Sequence, residues 1–251
     1  MKETRHSMGM PATVEIVDVS VKQESLDTAF DFFTSVDERF STYKPDSEIS
    51  RINRGELTQA DYSREMREIF ALAEETKRQT NGYFDIATPN GSIDPSGIVK
   101  GWAIQKAADI LRSSGYENFY VEIAGDIQTA GKNSDAQEWR IGIRNPLAHD
   151  EIVKVVCPQG RGIATSGTAA RGAHIYDPIA KKPVETTVAS LTVIGPNVYE
   201  ADRFATAAFA MGEQGISFIG SLEGFEGYQI DQSGTAVKTL GFTHYEYESD
   251  R

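Results

Sequence analysis

Apolar residues in the first part of the chain recur at steps of three and four. Leu26, Phe30, Phe33, Val36 and Phe40 form one stripe, which predicts an amphipathic helix with Ser25 as its N-cap and with Phe33 and Phe40 in the core. A second helix is predicted from about residue 63 to residue 80, with Met66, Ile69, Phe70 and Ala73 on its inner face and Asn81-Gly82 as its stop. A third follows the turn Asp94-Pro95-Ser96-Gly97, runs through Ile98, Trp102, Ile110 and Leu111 and ends near Gly115; a fourth covers residues 199–212. Residues 13–21 alternate as a half-buried strand does, with Val14, Ile16 and Val19 as the main apolar members. Segments 119–123, 127–130, 139–144, 152–157 and 188–194 are short, apolar and bounded by Gly, Pro, Asn or Asp, as strands are. Their close spacing favours antiparallel pairing, because parallel neighbours need a crossover of about a dozen residues or more. The expected class is α+β: mixed, mostly antiparallel sheets with packed helices, as one large domain or two fused lobes, with no repeat, linker or low-complexity segment.

Composition narrows the partners. The chain has 251 residues and 39% hydrophobic content, enough for a full core. Its net charge of −12 argues against a nucleic-acid backbone or an anionic membrane as main partner, since both reward clustered Lys and Arg. The lone Cys157 excludes an internal disulfide and is expected as a small buried residue in a strand. The first eight residues hold no apolar segment of the signal-peptide kind, and no later run is long enough for a membrane span, so a cytoplasmic setting is expected. Residues 246–251 are expected to fray.

Several stretches carry candidate chemistry. The turn at Asp94 leads into a helix whose first N–H groups lack partners, which suits phosphate or carboxylate oxygens; a capped surface helix explains the same pattern. Asp94 and Lys100 add an acceptor and a cation there. Residues 41–53 read as a polar loop closing into a short helix capped by Asp46 or Ser47, either a ligand edge or an ordinary surface loop. Residues 162–178 are rich in hydroxyls, glycine and small side chains. Asp202 and Thr206 lie four apart on one helix face, where they could share an oxygen-loving cation or hydrogen-bond within the helix.

Taken in order, Met8-Gly9, Ser41-Thr42-Tyr43-Lys44-Pro45-Asp46-Ser47, Gly82-Tyr83-Phe84-Asp85-Ile86, Asp94-Pro95-Ser96-Gly97-Ile98-Val99-Lys100-Gly101, Ala124-Gly125-Asp126-Ile127, Ala164-Thr165-Ser166-Gly167, His174-Ile175-Tyr176-Asp177-Pro178 and Glu200-Ala201-Asp202 with Ala205-Thr206 resemble the ApbE-like FAD:protein FMN transferases over nearly the whole chain. The resemblance implies a single two-lobed, T-fold-related α+β unit over residues 1–251 and a magnesium-dependent transfer of FMN from FAD to a Thr or Ser hydroxyl of an acceptor protein, with AMP released. It implies Asp202, Thr206 and the backbone carbonyl of Gly97 as Mg2+ ligands. His174 is implied as general base, the alternative being a loop histidine hydrogen-bonded to Asp177. Implied FAD contacts are Met8, Tyr43, Tyr83, Phe84, Asp85, Asp94, Lys100 and the backbone near Tyr176, with Tyr43 and Phe84 packing against flavin or adenine rings. Asp126 and residues 165–167 fall in matching loops. The chain departs from the family pattern where only residues 87–93 precede the central turn, where only residues 168–173 precede the histidine, and where Ala124 replaces a glycine. Shortened rims imply a more exposed FAD or a homodimer that covers it. Two alternatives stay open at this stage: an FAD pyrophosphatase giving FMN and AMP, and a non-catalytic FAD-binding paralogue.

Overall fold

The computed structural model describes residues 1–167 and 176–248. Alternation in β2 (Met10–Ile16) turns Ala12, Val14 and Ile16 to one face, where all three are fully buried. β1 (Lys2–Ser7) pairs with one edge of β2, and β3 (Phe119–Ile123) pairs with the other through Ala12–Ile123, Val14–Val121 and Ile16–Phe119. The buried faces of β2 and β3 meet the apolar stripe of α1 (Gln23–Phe40) and the long helix α4 (Ser96–Ser113). Between those helices lie α2 (Glu48–Asn53), capped by Ser47, and α3 (Arg64–Gln79), capped by Ser63; each serine oxygen accepts a backbone N–H at 3.1 Å.

The sheet continues through β4 (Asp126–Ala130), β7 (Gly162–Gly167), β10 (Val188–Gly195), β11 (Glu226–Asp231) and β12 (Ala236–Lys238), giving the order β1-β2-β3-β4-β7-β10-β11-β12 with antiparallel pairing throughout. Residues on alternate sides of this second half feed two different cores. Ala164, Leu191 and Val193 pack under α5 (Val198–Ala210) and α6 (Gly215–Ser221). Ile163, Ile194, Tyr228 and Ile230 face the hairpin of β5 (Ile141–Asn145) and β6 (Ala148–Val156) on the other side. β10 is buried along its whole length because it is covered on both faces. A small ribbon of β8 (Tyr176–Asp177) and β9 (Lys182–Pro183) completes the described strands. No described helix is long and apolar enough to cross a membrane.

Several expectations need correction. The strand expected over 13–21 leaves the sheet after Ile16, because Asp18 turns back to accept the backbone N–H groups of Glu117 and Asn118; Val19 is 91% exposed. Residues 2–7, read only for targeting, form β1. Lys22 rather than Ser25 precedes α1, and the Ser25 hydroxyl lies 2.8 Å from that of Tyr116. Cys157 follows β6 instead of sitting in it and is half-buried. The end expected to fray from 246 is pinned through 247: Glu246 receives Lys154 and Lys238, and the N–H of Tyr247 donates to Val155. β7 was not foreseen as a strand because its residues are small and hydroxylated rather than branched. The smallness has a reason, since a Cβ on Gly162 would sit 1.9 Å from the backbone nitrogen of Val198 at the start of α5.

That contact yields a test of the fold. Gly162→Ala cannot be accommodated by rotating a side chain, because the obstacle is backbone, and it should lower the unfolding free energy by about 3 kcal/mol or more in urea or thermal melts. A loss within the range of an ordinary surface substitution would show that α5 and β7 pack less closely than described.

Candidate active site

The site is built where α4 crosses α5. Gly101 has no side chain, and its N–H donates to Asp202 Oδ2 at 2.8 Å. A Cβ there would fall 2.6 Å from Asp202 Cβ and 2.9 Å from the carbonyl of Val198, so only glycine allows this approach. One turn earlier, Gly97 sits against Thr206 and the ring edge of Phe84. Two glycines on successive turns of α4 thus face two oxygen-bearing residues on successive turns of α5. Asp202 makes its bond across this crossing, so its pairing with Thr206 on one face is not an intrahelical hydrogen bond.

A third element delivers a second acid. Ala124 and Gly125 both take positive φ, 51° and 91°, in the tight turn between β3 and β4, and this sets Asp126 at the first position of β4. Its Oδ1 accepts the N–H of Thr165 on β7 at 3.0 Å. Lys100 Nζ lies 2.5 Å from Asp126 Oδ2 and 3.7 Å from Asp202 Oδ1. Both carboxylates are buried. Burial pushes the Asp202 carboxyl up to about 7; the nearby Lys100 charge opposes this, while Asp126 adds to it.

These groups lie at or beside one cavity of about 690 Å³. Met8, Tyr43, Tyr83, Phe84, Asp85, Asp94, Gly97, Lys100, Tyr176, Asp202 and Thr206 all line it. His174 lies outside the described residues. The lining residues differ in character. Tyr43 is 95% exposed on the loop between α1 and α2, whereas Phe84 is 3% exposed and belongs to the core. Asp85 pairs with Lys77 at 2.7 Å and accepts the N–H of Ala87; Asp94 accepts the N–H of Ser96. Met8 holds φ at 53° in the β1–β2 turn. The Tyr176 and Ser190 hydroxyls are buried without a hydrogen-bond partner among the described residues. Polar groups so placed are costly unless a ligand or water satisfies them.

Sequence reasoning missed the wall formed by Ile143, Arg144 and Asn145 at the end of β5, which carries no motif, and it missed Ser190, which lies in the middle of an apolar strand. The segment 87–93 closes on itself through an Ala87–Ile93 bridge and bonds between Thr88 and Ser92, giving a short wall. Among the described residues no three His, Cys, Asp or Glu side chains gather into a metal-binding group.

The ApbE family matches residues 8–90 and 87–229 of the chain. A Vibrio cholerae protein named FAD:protein FMN transferase is 38% identical over 135 residues, which is 50% of this chain and 40% of that relative. A protein of the same name from Haemophilus influenzae is 26% identical over 241 residues, covering 71% of this chain and 70% of its own length. The chain thus spans less than half of the Vibrio relative, as it does of the Salmonella typhimurium one, where the share is 46%. Among solved structures, the flavin transferase ApbE from Vibrio cholerae superposes with a TM-score of 0.86 at 24% identity over 98% of both chains. The ApbE protein from Thermotoga maritima gives 0.87 at 18% identity over 99% of both. These likenesses confirm the α+β class and the mostly antiparallel sheet.

The environment of Asp202 predicts a pH dependence of stability in the metal-free protein. The ordinary carboxyl value is 3.8 and the folded one is about 7, so between these limits the folded state binds one more proton than the unfolded state. The contribution of Asp202 is therefore fully present below about 3.8 and is lost as pH rises to about 7. In chelator, the stability of wild type relative to Asp202→Asn should fall from pH 4 to pH 7 and then level off. A difference that stays constant across that window would show the carboxyl titrating at its ordinary value.

Proposed function

The chain belongs to the ApbE family, and we propose that it transfers the FMN part of FAD to a Thr or Ser hydroxyl of an acceptor protein and releases AMP. The observation that carries this reading is the convergence of Gly97, Lys100, Asp202 and Thr206 at one helix crossing, on the wall of a cavity lined by the other FAD-contact candidates. Support also comes from the names of the relatives, each an FAD:protein FMN transferase.

In the proposed step the acceptor hydroxyl oxygen bonds to the phosphorus on the FMN side of the pyrophosphate. The bond from that phosphorus to the bridging oxygen breaks, AMP leaves with the bridging oxygen, and the hydroxyl proton passes to a base. His174 is our candidate base. Tyr43, standing out on the rim, is suited to cover a flavin or adenine ring, while Phe84 offers a ring edge from the core. The hydroxyls of Tyr176 and Ser190, without a partner among the described residues, are suited to ligand oxygens or nitrogens.

The donors at the crossing fit magnesium. Asp202 Oδ1 is the oxygen not bound to Gly101, Thr206 lies one turn on, and Gly97 faces Thr206. Magnesium takes a few protein oxygens and keeps water and phosphate oxygens for the rest, so a single carboxylate with a hydroxyl and a carbonyl is an adequate set. When bound there it supplies charge neutralisation to the pyrophosphate and the AMP leaving group. The same reading includes a cytoplasmic setting and a second subunit over the exposed rim.

The test is incubation with FAD and Mg2+, with and without a candidate acceptor protein. Covalent labelling of the acceptor with equimolar AMP is expected, and Asp202→Asn should abolish it while the fold is kept. Free FMN and AMP in equal amounts, with no labelled acceptor, would assign the site to hydrolysis instead; binding without turnover would make it a flavin carrier. His174→Asn should preserve FAD affinity and slow transfer by roughly 10²–10⁴-fold. If FAD affinity and thermal stability fall together while turnover at saturating FAD stays near normal, His174 holds the loop and is not the base.

A further inference from the structure

The magnesium reading leaves the second acid, Asp126, without a role, and its geometry supplies one. Each of the two buried carboxylates has one oxygen fixed by a backbone N–H: Asp126 Oδ1 by Thr165 at 3.0 Å and Asp202 Oδ2 by Gly101 at 2.8 Å. The other two oxygens face the same ammonium, which stands 2.5 Å from Asp126 and 3.7 Å from Asp202. Lys100 therefore contacts one acid and only approaches the other. Its side chain comes from the residue next to Gly101, on the same helix turn that meets Asp202, and in this arrangement it lies within reach of both acids.

We infer that Asp126 is a positioning residue that draws Lys100 away from Asp202 and so keeps Asp202 Oδ1 open to a divalent cation. The inference rests on the magnesium reading of the α4–α5 crossing. A cation and an ammonium cannot both sit on one carboxylate oxygen without strong repulsion at such short range in a site shielded from water. With Asp126 in place, the ammonium has its own carboxylate, and two acids are left to balance two cations. Without it, Lys100 would satisfy Asp202 directly and compete with the metal. Ala124 and Gly125 both hold left-handed backbone, as a two-residue hairpin turn requires, and this places Asp126 at the start of β4 beside Lys100.

The test is Mn2+ binding to the protein without FAD, followed by calorimetry or by the spin-resonance signal of free Mn2+. Asp126→Asn keeps an acceptor for the Thr165 N–H and should weaken Mn2+ binding by about tenfold or more. The double variant Asp126→Asn/Lys100→Met should recover to within about threefold of wild type, because the competing charge is gone. Full Mn2+ affinity in Asp126→Asn, or no recovery in the double variant, overturns the inference; the second result would make Asp126 a ligand or a purely structural acid. Should Asp126→Asn fail to fold, Asp126→Ser, which also keeps an acceptor for the Thr165 N–H, takes its place alone and with Lys100→Met, and the same two outcomes decide. Wild-type uptake of Mn2+ that does not depend on Asp202 would instead overturn the magnesium reading itself, and the inference with it.

Discussion

The contact on which the structure depends is the bond from the Gly101 N–H to the Asp202 carboxylate. It lets two long helices approach until a backbone nitrogen of one reaches a side-chain oxygen of the other at 2.8 Å, with no Cβ between them. Helix α4 belongs to the core beneath β1–β3, and α5 caps the core of β7 and β10. The sheet itself joins these halves weakly, since β4 and β7 pair only through Ile127–Ile163 and Gln128–Gly162. The helix crossing adds to that junction, together with the bonds from Arg203 on α5 to Thr76 and Gln79 on α3. It also explains why a carboxylate can be buried there: one oxygen is met by a backbone donor and the other lies near a lysine, which offsets part of the desolvation cost.

A junction of this kind forms a cleft by construction. Two cores that share a sheet but have separate helix layers leave a groove where the layers meet, and the β5–β6 hairpin adds a wall from β5. The loops that end at this groove come from distant parts of the chain: the β1–β2 turn at Met8, the loop at Tyr43, the segment at Asp85 and the strand residue Ser190. Their convergence follows from strand order, because the antiparallel pairing of β2, β3, β4 and β7 brings the β1–β2 and β3–β4 turns and the C-terminal part of β7 to one end of the sheet.

What was legible in the sequence divides along physical lines. Helices α1, α3, α4 and α5 were readable because a helix that buries one face must repeat its apolar residues at that face, and Leu26, Phe30, Phe33 and Phe40 do so. The candidate site residues came from an ordered set of short motifs, and those that lie among the described residues line one cavity. β1 was unreadable because it is an edge strand of charged and hydroxyl side chains, held by cross-strand pairs such as Lys2–Glu15 and Thr4–Thr13 rather than by an apolar face. β7 was hidden for a different reason: its small residues answer to the backbone of α5 and β10, a constraint that exists only once those elements are in place. The link from Lys100 to Asp126 was equally invisible, since 26 positions separate the two residues and neither has a pattern that names the other.

The charge of the cavity wall follows the same rule of local pairing. A chain of net charge −12 with Asp37, Asp85, Asp94, Glu122 and Asp202 on one wall would repel a pyrophosphate if those acids stood alone. They do not. Asp37 is met by Lys44 at 2.5 Å and Asp85 by Lys77 at 2.7 Å, while Glu122 and Asp94 accept backbone N–H groups of Gly125 and Ser96. Each acid is thus committed to shaping the loop it sits on, and its field is offset within a few ångströms. The crossing differs in being buried: among the described residues Asp126 and Asp202 share one lysine there, which leaves one unit of negative charge shielded from water. A proton on Asp202 can cancel that charge, and burial, with Asp126 adding to it, raises the Asp202 pKa in that direction; a divalent cation can cancel it too, and would also leave a positive charge facing the cavity. On the proposed reading, the buried acid pair at the crossing is the place where the cation needed by an anionic substrate would be held.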